Sequence, residues 1–277
     1  MILIQKINMS KFINLSILIV FTLSTSSCFW RNNKGEFRTE NGIDIEVFDS
    51  INRDENRYTS DNKIYKPNRR FVFSYKYIKN GKSYFFKAND SDWDFTSVID
   101  SSENVTKGFT LIVFPGRGPF NQMIPDYSQT VIEYELEGYQ YTTKTGIIEN
   151  DKNVWMHPPR DKLFRILELN PFPYIKKPFK KGNSWTWNLK VGKKWGDDRW
   201  AAWDSTLLLK HHYEIQGYEK LTTPLGVIKC IVVSGISSSE IGETALKSYF
   251  HEEYGFVRLD YVNIDQSEIK ILLLSVN

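Results

Sequence analysis

Cysteine is nearly absent from this 277-residue chain, which has only Cys28 and Cys230. With no Cys-x-x-Cys pair, zinc-ribbon and thioredoxin-type readings fall away. Histidine is almost as scarce: His157, His211, His212 and His251 are all there is. His251-Glu252-Glu253-Tyr254 lacks the second histidine of a zinc-protease helix. His211 and His212, adjacent on an expected strand, point to opposite faces and cannot easily share a metal. A strong charge of one sign is also missing. The formal net charge is +3, and without a helix-turn-helix, finger or ribonucleoprotein motif it gives no reason to expect a nucleic-acid partner.

Catalytic signatures are missing in the same way. Gly235-Ile236-Ser237-Ser238-Ser239 lacks the closing glycine of a nucleophile elbow. Asp90-Ser91-Asp92-Trp93-Asp94 opens like a calcium loop, but Phe95 stands where the loop needs glycine and Ser101 where it needs a bidentate glutamate. That segment reads as a solvated acidic turn. Phe114-Pro115-Gly116-Arg117-Gly118-Pro119-Phe120 is a stiff loop suited to a pocket rim, with no lysine or helix after its glycines to cradle phosphate. The chain is therefore expected to be non-enzymatic and to carry neither cofactor nor metal.

Long hydrophobic runs are confined to the N-terminus. Lys6 and Lys11 precede an apolar stretch from Phe12 to Leu23, the length of a cleaved export signal and too short to span a bilayer comfortably. Ser24-Thr25-Ser26-Ser27-Cys28 follows. These residues resemble the lipobox of bacterial lipoproteins, in which the cysteine is acylated and becomes the new N-terminus. Thr25 stands where that family usually has leucine; the nearest leucine is Leu23. The resemblance implies a lipid anchor at Cys28 and a place in the cell envelope, with the outer membrane expected. Met9 opens a compact signal of its own, so translation is expected to start there or at Met1. Two or more acyl chains hold a protein stably on a membrane, where one binds only marginally.

About 250 residues remain after the signal, enough for one large β domain or two smaller ones. Charged residues make up 25% and apolar ones 41%, as in a soluble globular protein. Residues 28–62 are polar and weakly patterned apart from an expected strand at Ile43 to Phe48, and read as a tether. Beyond them come short β-branched and aromatic runs separated by turn signals. Asn80-Gly81 between Phe71–Ile78 and Ser83–Ala88 is a strong hairpin signal, because both central residues of a type I′ turn need positive φ. Val131, Glu133, Glu135 and Glu137 alternate with Ile132, Tyr134 and Leu136, which predicts a half-buried strand.

Segments from Thr206 to Tyr218, Val227 to Val233, Thr244 to His251, Gly255 to Ile264 and Glu268 to Val276 predict an antiparallel meander. One short helix is expected near residues 159–169, where Pro159 opens a run with apolar residues three and four apart and Asn170-Pro171 stops it. Tyr134-Glu135-Leu136-Glu137-Gly138-Tyr139 with Thr142-Thr143 parallels Tyr213-Glu214-Ile215-Gln216-Gly217-Tyr218 with Thr222-Thr223. Either the chain has two related halves or similar turn chemistry arose twice.

The predicted fold is mainly β: antiparallel meanders forming a curved sheet or open barrel. Its parts are a signal at 1–27, the tether at 28–62, an N-terminal β half with the helix at 63–180, and a C-terminal meander at 181–277. Gly182-Asn183-Ser184-Trp185, Thr223-Pro224-Leu225-Gly226-Val227-Ile228 and Tyr249-Phe250 with Tyr254-Gly255-Phe256-Val257 resemble uncharacterised bacterial envelope proteins with curved-sheet, lipoprotein-carrier-like folds. These are turn and core motifs, so the resemblance implies a fold rather than an activity.

Candidate ligand-binding residues are Trp185, Trp187, Trp195, Trp200, Trp203 and Arg199. Indoles beside Asp197, Asp198 and Asp204 suit sugar stacking, and the same rings suit the packed interior of a curved sheet. Glycoside hydrolysis needs two carboxyls at a set separation, which spacing in sequence does not fix. Cys230, within an apolar run, is expected to be buried and inert. The basic run Lys176-Lys177-Pro178-Phe179-Lys180-Lys181 is a solvated loop or a contact to anionic headgroups. Three roles remain in view: binding of an apolar ligand or partner protein, glycan binding or processing through the tryptophans, and a structural place in an envelope complex.

Overall fold

Asn80 and Gly81 both take positive φ, 53° and 74°, and join strands at Arg70–Lys79 and Lys82–Ala88 as the dipeptide predicts. The computed structural model describes residues 37–40, 43–46, 62–88, 92–97, 105–115, 129–139 and 142–277. The export signal, Cys28 and Gly116 to Phe120 lie outside these residues.

The strands in chain order are β1 (Phe37–Glu40), β2 (Ile43–Glu46), β3 (Arg70–Lys79), β4 (Lys82–Ala88), β5 (Trp93–Thr96) and β6 (Val105–Thr106). They continue as β7 (Gly108–Val113), β8 (Thr130–Leu136), β9 (Thr142–Glu149), β10 (Asn153–Met156) and β11 (Tyr174–Lys176). The last are β12 (Ser184–Val191), β13 (Leu207–Thr223), β14 (Gly226–Ser239), β15 (Gly242–His251), β16 (Gly255–Val262) and β17 (Glu268–Val276). One antiparallel path runs β11-β10-β9-β8-β7-β3-β17-β16-β15-β14-β13-β12, with β4 branching from β3 and pairing in turn with β5 and β6. The ladder between β3 and β17 joins residues 63–180 to 181–277 in a single sheet. β1 and β2 form a separate hairpin, so the tether's expected strand has a partner of its own.

Strand alternation decides which face is apolar. Phe71, Phe73, Tyr75 and Tyr77 of β3, Tyr213 and Ile215 of β13, and Ile269, Ile271 and Leu273 of β17 are all buried in one cluster. The sheet curls until its two end strands meet by side chains: Tyr174 on β11 lies 5.6 Å from the Trp185 ring on β12. Among the described residues no ladder joins β11 to β12, so the barrel stays open.

The predicted helix is a 3-10 helix at Lys162–Leu169. It begins after Pro159; Asp161 caps it, accepting the Lys162 N–H at 2.9 Å. Leu163, Phe164, Ile166 and Leu167 are buried with the inner face of the sheet. Phe164 meets Tyr75, Phe86 and Phe109 edge-on, with centroids 5.2, 5.9 and 5.4 Å away. The interior is thus occupied by side chains.

Where the tether enters the sheet, a carboxylate receives it. Glu149 at the end of β9 accepts the backbone N–H groups of Lys63, Ile64 and Tyr65 at 2.8, 3.0 and 3.0 Å. Tyr65 then inserts beside Gly255, where φ is 71° and a Cβ would collide with the Tyr65 hydroxyl. Only glycine fits that approach.

One expectation needs correction, and one open alternative is narrowed. β8 is buried on both faces from Thr130 to Tyr134, not half-buried: Glu133 is 7% exposed. Its carboxylate pairs with Lys144, its cross-strand partner on β9, and the Lys144 ammonium sits 5.0 Å above the Phe114 ring. A paired charge with its aliphatic stem laid on the sheet can be covered where a lone carboxylate cannot. The two similar segments also occupy different positions. Gly138-Tyr139 forms a turn and Thr142-Thr143 starts the return strand. Gly217-Tyr218 instead lies at a bulge inside β13, and Thr222-Thr223 ends that strand before its turn. Similar turn chemistry serves two different geometries.

Candidate functional site

The structure divides the tryptophan cluster. Trp185 and Trp187 alternate onto the inner face of β12, where Trp185 stacks on Tyr213 at 5.4 Å and Trp187 on His211 at 5.0 Å. Trp195, Trp200 and Trp203 pack half-buried around Leu169, Val191, Leu207 and Leu209. Trp203 Nε1 donates to the Val191 carbonyl at 3.3 Å. Trp195 carries cations, with the guanidinium of Arg160 4.3 Å and that of Arg165 5.7 Å from its centroid.

Arg199 is fully engaged. Nε and Nη2 grip Asp197, each at 2.7 Å, and Nη1 reaches Asp92 at 3.2 Å and the Trp93 carbonyl at 2.9 Å. Its plane lies 3.9 Å over the Trp93 ring, which in turn stacks on Trp200 at 6.0 Å. The guanidinium holds the Asp197 carboxyl below the usual carboxylate range. Arg199 clamps the 193–204 segment to β5.

The 3-10 helix brings two perturbed ionisable groups together, its own Glu168 and His157. His157 Nδ1 lies 2.8 Å from the Pro158 carbonyl and donates to it. Nε2 therefore presents its lone pair to Glu168, 3.4 Å away. Burial pushes the Glu168 carboxyl up to about 7 against the opposing pull of Arg160, whose Nε is 3.3 Å away. It pushes His157 down to about 3, assisted by Arg160. His211, 1% exposed, falls to about 3 through burial, and neither ring nitrogen has a hydrogen-bond partner among the described residues. The Cys230 thiol, wholly buried, is pushed up to about 11. Both imidazoles are thus neutral at pH 7, and the thiol is not a thiolate.

Concave surface is found on the outer face of the sheet. The long β13–β14 hairpin overhangs its neighbours and brings Leu221 and Thr222 beside Ser74, Lys76, Arg258 and Leu272, enclosing a cleft of about 220 Å³. A second cleft of about 660 Å³ lies on the other side of Ser74, lined by Val72, Gly108, Glu135, Tyr139 and Leu274. Gly108 is among its lining residues, and a Cβ there would collide with the Phe73 carbonyl. Val72, Leu272 and Leu274, all half-buried, lie along these clefts. Pattern reading missed this groove, although Ile271-Leu272-Leu273-Leu274 held a signal: strict alternation would make Leu272 and Leu274 polar.

No protein-family model matches this chain, and no curated protein does. Among solved structures, a protein from Bacteroides fragilis provisionally described as exported, with a YmcC-like fold, shares 11% identity. It matches over 78% of this chain and 98% of its own, with a TM-score of 0.40. A provisionally described lipoprotein from Parabacteroides distasonis shares 13% identity over 77% of this chain and 97% of its own, with a TM-score of 0.42. The hypothetical lipoprotein YmcC of Escherichia coli shares 9% over 76% and 87%, with a TM-score of 0.35. Likeness at this level assigns neither ligand nor activity.

Proposed function

We propose that this chain is a lipid-anchored envelope protein, held on the outer membrane through Cys28, that binds an apolar ligand on the outside of its sheet and catalyses no reaction. One observation carries the reading: side chains occupy the interior, while half-buried Val72, Leu272 and Leu274 line open clefts on the opposite face. An apolar floor left open between polar walls is the usual form of a small-molecule site. The reading without catalysis is supported by how the reactive groups are used, with Arg199 clamped, the Cys230 thiol buried and both interior imidazoles neutral.

Titration with the neutral dye N-phenyl-1-naphthylamine tests the groove. Saturable binding is expected, weakened tenfold or more by Ser74→Trp, which places an indole between the two clefts. Binding that is not saturable, or that Ser74→Trp leaves unchanged, removes the groove as the site. The anchor has its own test: Cys28→Ser is expected to release the protein from membranes or block its maturation. Normal processing with continued membrane retention would overturn the anchor.

A further inference from the structure

We infer that the ligand of this groove is an amphiphilic anion, a single acyl chain ending in a carboxylate or phosphate, whose head is held by Lys76, Lys270 and Arg258. The inference rests on the groove reading above and adds the charge of the ligand. Its starting point is a conflict in the sheet. Lys76 on β3 and Lys270 on β17 are direct cross-strand partners, and like charges placed opposite each other destabilise a sheet. Lys270 has a carboxylate of its own, Glu268 at 2.7 Å, and Arg258 has Asp260 at 2.9 Å. Lys76 is exposed and has no ion pair among the described residues. Among the described residues three cations and no acid line this cleft, so this lining leaves a positive charge uncompensated. An anion set between Lys76 and Lys270 turns that repulsion into two attractions.

The apolar groups are placed to follow such a head. One strand period beyond the lysine pair, Leu272 stands opposite Ser74 on one side and Arg258 on the other. Two residues of strand are about 6.6 Å, so the charged end and the first methylenes occupy successive rows of the same face. Leu221 of the overhanging hairpin walls that row. Val72 and Leu274 carry the apolar surface into the second cleft. From Lys76 to Val72 is about 13 Å, a length suited to one chain of medium length lying along the sheet.

Calorimetric titration of the full-length, unacylated Cys28→Ser chain with laurate, lauroyl lysophosphatidylglycerol and dodecanol tests the inference. At least one of the two anions is expected to bind tenfold or more tighter than dodecanol, and which one does so distinguishes a free fatty acid from a lipid headgroup. Lys76→Gln, a surface change that leaves the core untouched, is expected to remove that preference and keep the dodecanol affinity. Added salt is expected to reduce the preference, since the head lies at the surface. If all three bind equally and Lys76→Gln changes nothing, the anionic head is overturned and the apolar groove stands. If none binds, the groove reading falls with it. Anion binding that persists unchanged in Ser74→Trp would place the charge contact elsewhere and overturn the inference.

Discussion

Phe164→Ala is expected to destabilise the protein by about 3–5 kcal/mol, the range for removing a fully buried aromatic side chain. Phe164 is fully buried and touches Tyr75 of β3, Phe86 of β4 and Phe109 of β7. It is the point at which the 3-10 helix is fastened to three strands. A helix of eight residues has little stability of its own, because helix formation is length-dependent and most of its support comes from tertiary packing. The loss should therefore spread to the helix and to the groups beneath it. A fall in Tm of roughly 10 °C is expected, together with increased hydrogen exchange over residues 159–170. A change within 1 °C, with exchange unaltered, would show that the helix does not depend on this ring.

Acid should unfold the protein through its buried imidazoles. His157 and His211 are lowered from the ordinary 6.5 to about 3. Above pH 6.5 each is neutral in the folded and the unfolded chain, so neither affects stability there. Below pH 6.5 the unfolded chain takes up protons that the folded chain refuses until about pH 3. Stability then falls by about 1.4 kcal/mol per pH unit for each group. Glu168 has the opposite sign. Raised from 4.5 to about 7, it keeps a proton in the folded chain that the unfolded chain gives up. Its contribution is complete below pH 4.5 and lost as pH rises through about 7. Between pH 6.5 and 4.5 the net is one group's slope, about 1.4 kcal/mol per unit.

His211→Phe provides the check. Neither nitrogen of His211 has a partner among the described residues, and the ring stacks on Trp187. Phenylalanine should fit, and the variant should be as stable as wild type or more so at pH 7, because an apolar ring leaves no buried polar atom unpaired. Its stability should also be flat between pH 6.5 and 4.5. Urea unfolding midpoints across that range measure both effects, and a variant that keeps the wild-type slope would show that His211 does not carry the acid response.

Local chemistry was legible where it is local. Asn80-Gly81 set a hairpin through its own φ preferences. Asp161 and the Asn170-Pro171 stop bounded the helix within a few residues of its expected place, and the strands from β13 to β17 followed their alternation and turn residues. Lengths were less legible: β13 and β14 run on to Thr223 and Ser239, beyond the expected Tyr218 and Val233. The bulge at Ile215/Gly217 lets the strand continue past Gly217-Tyr218.

Chain pattern by itself determined that this is an antiparallel β protein with one short helix, because φ preference and side-chain alternation act between near neighbours. It also showed that no familiar catalytic or metal-binding motif is present. The tertiary structure alone decided the destinations. Trp185 and Trp187 went to the interior with Tyr174 and Tyr213, Trp200 went to Trp93, and Arg199 became a clamp across more than a hundred residues of chain. The outer groove joins Ser74, Leu221, Arg258 and Lys270, residues that nothing in the linear sequence links. Register between distant strands places them together, and register is set by the sum of all the buried pairs along the sheet.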